Sequence, residues 1–176
     1  MIDNPRIDDL RRQVQKDPAS IAFAQLAEEY RRAGQYAEAV EVCRAGLTIH
    51  PGYLSARVTL GRALLELGEL DPAGRELQTV LAAAPENLSA IRGLAQIHQR
   101  RGSLAAALTQ YQTALSLAPN DPDLERTVSG LIRQVESDAH AKMTRANPER
   151  DRAARTVAAL EGFLAAIHAT GANHRA

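Results

Sequence analysis

The sequence predicts an all-α fold, a solenoid of stacked helical hairpins, and three observations predict it. Pro51, Pro85 and Pro119 recur at intervals of 34 residues. Gly34, Gly68 and Gly102 keep the same interval, and so do the columns Leu26/Leu60/Leu94, Ala27/Gly61/Ala95, Ala39/Ala73/Ala107 and Leu47/Leu81/Leu115. Between these markers apolar residues fall at helical spacing, and nothing alternates as a half-buried strand would. A period of this length means one supersecondary unit that cannot bury its apolar face alone and hides it against its neighbours.

The elements follow in chain order. Residues 1–17 carry Ile7, Leu10 and Val14 on one stripe and read as an N-terminal capping helix, the second half of a truncated unit. Three full units follow at 20–53, 54–87 and 88–121, together 20–121. In the first, Leu26, Ala27 and Tyr30 share a helical face, and the small residue lets a second helix approach closely. Gly34 then ends that helix, because a left-handed cap costs glycine little. The second helix presents Ala39, Cys43 and Leu47 on one stripe, and Pro51 closes the unit, since proline cannot continue a helix. Residues 122–146 form a further helix with Leu124, Val128, Leu131 and Val135 as its stripe. Residues 147–170 form an amphipathic C-terminal helix with Val157, Leu160, Leu164 and Ile167 on one side and Phe163 beside them, and 171–176 is a frayed tail. The other five prolines follow Asn or Asp, at 4–5, 17–18, 71–72, 121–122 and 147–148, and read as helix starts with an Asx cap and proline in the first helical position.

The stretches FAQLAEEYRRAGQYAEAVEVCRAGLTIHP (Phe23 to Pro51) and IRGLAQIHQRRGSLAAALTQYQTALSLAP (Ile91 to Pro119) resemble the tetratricopeptide repeat (TPR) family. The middle unit diverges, with Arg57 and Leu64 where the family usually places bulky aromatics and Gly74 after Ala73. The resemblance covers somewhat over half the chain. It implies a right-handed TPR α-solenoid whose first helices line a concave groove, with 122–146 as the solvating helix. It is specific for fold and says little about function, because repeat scaffolds serve many tasks.

Placed on that implied groove, the offsets select Ile21, Ala24, Glu28, Arg31 and Arg32 from the first unit, Ser55, Val58, Arg62, Leu65 and Glu66 from the second, and Ser89, Arg92, Gln96, Gln99 and Arg100 from the third. Five arginines stand there against two glutamates on a chain of zero formal net charge. Arginine presents a planar fork suited to carboxylates. The expectation is a peptide or partner segment with acidic character along Arg31, Arg62, Arg92 and Arg100, with Leu65 and Val58 as apolar contacts; the plainer reading is a solvated helix face. Some family members clamp a C-terminal carboxylate with Lys, Asn and Arg. The matching positions here, Ala24, Glu28, Thr59, Ser89 and Gly93, carry none of those residues, so that role is not expected. Gly93 either admits a ligand backbone or reflects neutral drift.

Composition removes other classes. The pI near 7.0, 3% aromatics and absence of Trp argue against a nucleic-acid binder. One cysteine and no CxxC or HExxH exclude a disulfide framework and the common zinc sites. Nucleotide-binding glycine loops and nucleophile elbows are missing too, so no catalytic, cofactor or metal residues are assigned. Cys43 reads as a buried, inert thiol and His98 as a packed residue in place of a core tyrosine. The N-terminus lacks an apolar signal core and no run approaches a membrane span, which points to a cytoplasmic protein without membrane insertion. Arginine far outnumbers lysine, which occurs only at Lys16 and Lys142, and suggests a GC-rich bacterial gene.

The last helix must hide its stripe. It folds back on 122–146, or it docks or dimerises through Val157, Leu160, Phe163, Leu164 and Ile167; a surface membrane helix is disfavoured by too few bases. The function expected is a non-catalytic interaction scaffold. The alternative is a self-assembling subunit whose groove or C-terminal helix makes a homo-oligomer.

Overall fold

In the computed structural model, which describes residues 5–146 and 152–163, every described element is a helix. A capping helix α1 (Pro5–Lys16) packs on α2 (Ala22–Arg32). Three hairpins pair α2 with α3 (Tyr36–Ile49), α4 (Leu54–Glu66) with α5 (Leu70–Ala83), and α6 (Leu88–Arg100) with α7 (Leu104–Leu117). The long α8 (Pro122–Ala146) follows. A final helix, α9, spans 152–163. One compact unit ends at Leu131 and a second begins at Ile132.

The turn glycines act as the sequence requires. Gly34, Gly68 and Gly102 have φ of +75°, +82° and +73°. Each closes a Schellman motif: the Gly34 N–H donates to the Arg31 carbonyl at 3.1 Å and the Gln35 N–H to the Tyr30 carbonyl at 2.9 Å, and the other two turns repeat this pair of bonds. One turn is therefore made three times, and each sends the chain back along its own first helix.

Small residues set the helix crossings. Ala27, Ala95, Ala39, Ala73 and Ala107 have no exposed surface at all. At Gly61 an added Cβ would lie 2.7 Å from the Leu77 side chain and 3.4 Å from the Ala73 carbonyl, so α4 and α5 touch nearly backbone to backbone. Gly93 serves the same packing and neither of the purposes expected of it. It is buried, and a Cβ there would stand 2.6 Å from Leu77 Cδ1. Leu77 of α5 thus sits in a slot walled by a glycine of α4 and a glycine of α6, which joins the second unit to the third.

The column Phe23/Arg57/Ile91 shows different chemistry solving one problem. Phe23 is 1% exposed; its ring stacks on His50, with centroids 5.9 Å apart and planes within 2°, and meets Tyr53 at 5.8 Å. The His50 Nε2 bonds the Ala19 carbonyl at 2.6 Å, which fixes the proton on Nε2. In the next unit Arg57 takes over, donating to the Pro51 carbonyl at 3.0 and 2.7 Å and to Glu76 at 2.7 Å.

Several expectations are corrected. Asp17-Pro18 makes a turn, with the Ala19 N–H on the Asp17 carboxylate, and α2 begins only at Ala22. Asp71-Pro72 lies inside the first turn of α5, where a missing N–H is harmless; the residue preceding that helix is Glu69. Asp121-Pro122 is a true start: the Asp121 carboxylate accepts from the Asp123 and Leu124 N–H groups at 2.9 and 3.1 Å. Asn4 and Asn147 lie outside the described residues.

Of the residues expected on the last helix's stripe, Val157, Leu160 and Phe163 are 53%, 57% and 64% exposed, so a fold-back that covers them is not what the structure shows. Leu164 and Ile167 lie outside the described residues. No helix among the described residues is long and apolar enough to cross a membrane.

Candidate functional site

In a curved stack, the helices on the inside of the bend must stand closer together than those on the outside. Here α2 contacts α4 and α4 contacts α6, whereas α3 does not reach α5 and α5 does not reach α7. The first helices therefore form the inner wall. Between them opens a concave pocket of about 530 Å³. Ala24, Glu28 and Arg32 enter it from α2; Ser55, Val58, Thr59 and Arg62 from α4; Asn87 and Ser89 from the start of α6; Arg6 and Tyr53 close its N-terminal side.

The electrostatics centre on Glu28. Arg31 grips it with two bonds, from Nε to Oε2 at 2.9 Å and from the guanidinium to Oε1 at 2.7 Å. Arg32 Nε donates to Oε1 at 3.1 Å, and the buried Thr59 hydroxyl donates to Oε2 at 3.2 Å across the unit boundary. The Arg31 bonds first, then its charge, Arg32 and Thr59, hold the Glu28 carboxyl down to about 2 against the opposing effect of burial. A carboxylate has about four acceptor sites, and all four are used.

The remaining arginines of the predicted face are paired as well, with one exception. Arg92 bonds the Asp121 carboxylate at 2.9 Å. Arg100 reaches back one unit to Glu66 at 3.0 Å and to the Leu65 carbonyl. Arg32 also lies 3.6 Å from Glu29. Arg62 alone among these five makes no hydrogen bond or ion pair with any described residue. Its pKa is lowered, first by the loss of water around its head and then by repulsion from Arg31, with Arg92 adding to it.

Arg31, Arg62, Arg92, Glu28, Gln96, Gln99 and Arg100 all lie on the helices of the inner wall, and Gln99 accepts a 3.4 Å bond from the Tyr111 hydroxyl. Leu65 is a correction. It is 1% exposed, belongs to the core, and offers no contact to a ligand. Val58 keeps its place in the pocket. The excess of three positive charges on this face shrinks once Glu29 and Asp121 are counted, since both pair with groove arginines from outside the predicted set. Sequence reasoning missed them because neither occupies a groove offset. Cys43 is fully buried with its Sγ 3.4 Å from the Ala56 carbonyl, and burial pushes its pKa up to about 12, so it is an inert thiol.

Residues 30–91 match the family model described as tetratricopeptide repeat. Among curated proteins, the chain is 31% identical over 130 residues to tetratricopeptide repeat protein 21 homolog of Caenorhabditis elegans, covering 73% of this chain and 10% of that protein. It is 37% identical over 79 residues to the CTR9 homolog of Arabidopsis thaliana, covering 45% of this chain and 7% of that one. It is 28% identical over 109 residues to bacteriophage adsorption protein A of Escherichia coli strain K12, covering 62% and 11%. The chain thus spans about a tenth of each of these relatives' lengths.

Among solved structures it resembles MamA, with a TM-score of 0.67 at 18% identity over 74% of this chain and 77% of that one. A thermophilic TPR protein of Thermus thermophilus matches with a TM-score of 0.64 at 26% identity, covering 73% and 72%. The first TPR of Spaghetti (RPAP3) bound to the HSP90 peptide SRMEEVD matches with a TM-score of 0.63 at 16% identity, covering 68% and 94%. With the 34-residue columns, the repeated Schellman turns and the hairpin stack, these matches make the chain a tetratricopeptide-repeat protein.

Proposed function

We propose that this protein is a non-catalytic scaffold that holds a segment of a partner protein along the inner wall of α2, α4 and α6. One observation carries the reading: the wall lines an open pocket of about 530 Å³, its helices are joined by side-chain bonds, and it presents an arginine that bonds no described residue. A surface pre-formed in this way spares much of the ordering cost of binding. The Spaghetti domain, whose structure holds a peptide, has the same fold, which supports a peptide as the kind of occupant. The chemistry differs from a clamp for a chain terminus, because the corresponding positions in the pocket are Ala24, Glu28, Thr59 and Ser89 and none is a cation.

Selecting binders from a random peptide display library on the full chain tests the reading. Ser55→Trp and Ser89→Trp each place a bulky ring in the pocket from an exposed position and leave the core untouched. Selected peptides should lose at least tenfold in affinity for either variant, measured by fluorescence anisotropy. Equal binding to the wild type and both variants would remove the groove from consideration.

A second reading has its own observation. Val157, Leu160 and Phe163 are each more than half exposed on α9, and a second copy of the chain would hide them. Native mass measured at low and high concentration should then rise for the wild type and stay monomeric for Leu160→Glu combined with Phe163→Glu. A wild type that stays monomeric at both concentrations rejects it.

A further inference from the structure

Arg62 lines the pocket, and the two carboxylates whose charge acts on it, Glu28 and Glu66, already hold other arginines. Glu28 is saturated by Arg31, Arg32 and Thr59, and Glu66 is engaged by Arg100. Glu28 cannot turn to Arg62 without giving up bonds it holds, and the bond that Glu66 accepts comes from Arg100. The guanidinium therefore keeps its donors on an exposed position of the pocket wall, where an anion supplied from outside can reach it.

We propose that the pocket selects a single carboxylate-bearing side chain, an aspartate or glutamate within the partner segment, and gains nothing from a run of acidic residues. This rests on the groove reading and names the chemistry of its occupant. The planar fork of Arg62 meets a carboxylate with two parallel bonds. Ser55 and Ser89 line the same pocket and are exposed, so their hydroxyls stand ready to donate to the carboxylate as well. Val58 and Tyr53 offer apolar surface to the stem of the side chain. The limit to one charge comes from the other residues present. Arg31, Arg32, Arg92 and Arg100 are paired within the chain, and Glu28 and Glu29, which line the pocket, are paired in turn with Arg31, Arg32 and Arg6, so a second acidic residue finds no unpaired groove arginine to meet it. The expected ligand is thus a mostly neutral segment with one acid, a narrower class than the polyacidic peptide that the raw arginine count suggests.

The test uses synthetic peptides, acetylated and amidated at their ends, with sequences taken from the display selection. Each is made with its acidic residue intact, replaced by the corresponding amide, and extended to three consecutive glutamates. Binding is measured on the full chain and on Arg62→Gln, whose melting curve should match the wild type because Arg62 holds no bond to any described residue. Converting the acid to the amide should weaken binding to the wild type on the order of tenfold to a hundredfold and change binding to Arg62→Gln by less than threefold. The triple-glutamate peptide should bind no better than the single one. Equal affinity of acid and amide forms on the wild type, or tighter binding of the triple-glutamate form, overturns the proposal. So does a peptide that binds only when its C-terminal carboxylate is left free. If the Trp variants abolish binding while Arg62→Gln does not weaken it, the groove reading stands and this inference alone falls. If neither set of variants weakens binding, both fall.

Discussion

Replacing Leu77 with alanine should lower the unfolding free energy by about 2–5 kcal/mol, toward the upper end of that range. Leu77 has no exposed surface, and it fills the slot between Gly61 of α4 and Gly93 of α6. Removing its branched end leaves a cavity where the second and third units meet, and the walls are helix backbones that collapse poorly. The slot also predicts a reversal of sign. In the wild type, Gly93→Ala pushes a Cβ to 2.6 Å from Leu77 Cδ1, an overpacking cost of about 1–3 kcal/mol that outweighs the ~1 kcal/mol gained from helix propensity. In the Leu77→Ala background the same Cβ enters vacated space, and the propensity gain is left standing. Gly93→Ala should therefore destabilise the wild type and stabilise the variant, as read from urea unfolding midpoints of the four proteins of a double-mutant cycle. An effect of the same sign in both backgrounds would mean that Leu77 and Gly93 are not coupled as described.

That coupling marks the border of what one sequence discloses. The hairpins, their turns and their order were legible because a repeat writes each instruction three times: Gly34, Gly68 and Gly102 share one conformation for one reason. Gly93 was not legible, because a glycine inside a helix looks the same whether it serves a ligand, a neighbour or nothing. Its meaning depends on Leu77, which lies on another helix. Leu65 misled for a related reason. Its column holds Arg31 in the first unit and Gln99 in the third, so periodicity assigned it to the groove, while the structure buries it in the core. The groove's location could be inferred from the resemblance, but its charge could not. The pairs that neutralise it join Arg92 to Asp121 and Arg100 to Glu66, residues 29 and 34 positions apart. Counting charges by face includes Glu66 but overlooks Asp121, which sits off that face at the end of the third unit and still reaches Arg92. Arg62 stands out only after every other arginine of the wall has been assigned its partner.

The second large effect is expected at Phe23, where the repeat column changes chemistry and magnitudes decide which solution matters more. Phe23→Ala should cost about 3–5 kcal/mol. The ring is 1% exposed, lies against Gly46 so closely that any Cβ there would collide with it, carries His50 stacked on it and meets Tyr53 at a tilt. Its loss opens a cavity between α2 and α3 and takes away the surface on which the His50 ring rests. Arg57, the counterpart in the second unit, makes three polar bonds, but its side chain and that of Glu76 are 21% and 26% exposed. Partly solvated pairs of this kind contribute about 1 kcal/mol or less, so Arg57→Ala should cost far less than Phe23→Ala even though it breaks more bonds. Thermal or urea unfolding of the two variants checks the order. Gly46→Ala approaches the same ring from the other side, and it should destabilise the wild type and be tolerated once Phe23 is alanine. If Arg57→Ala proved the more damaging, the polar clamp on the Pro51 carbonyl, rather than the packed ring, would be what holds successive hairpins in register.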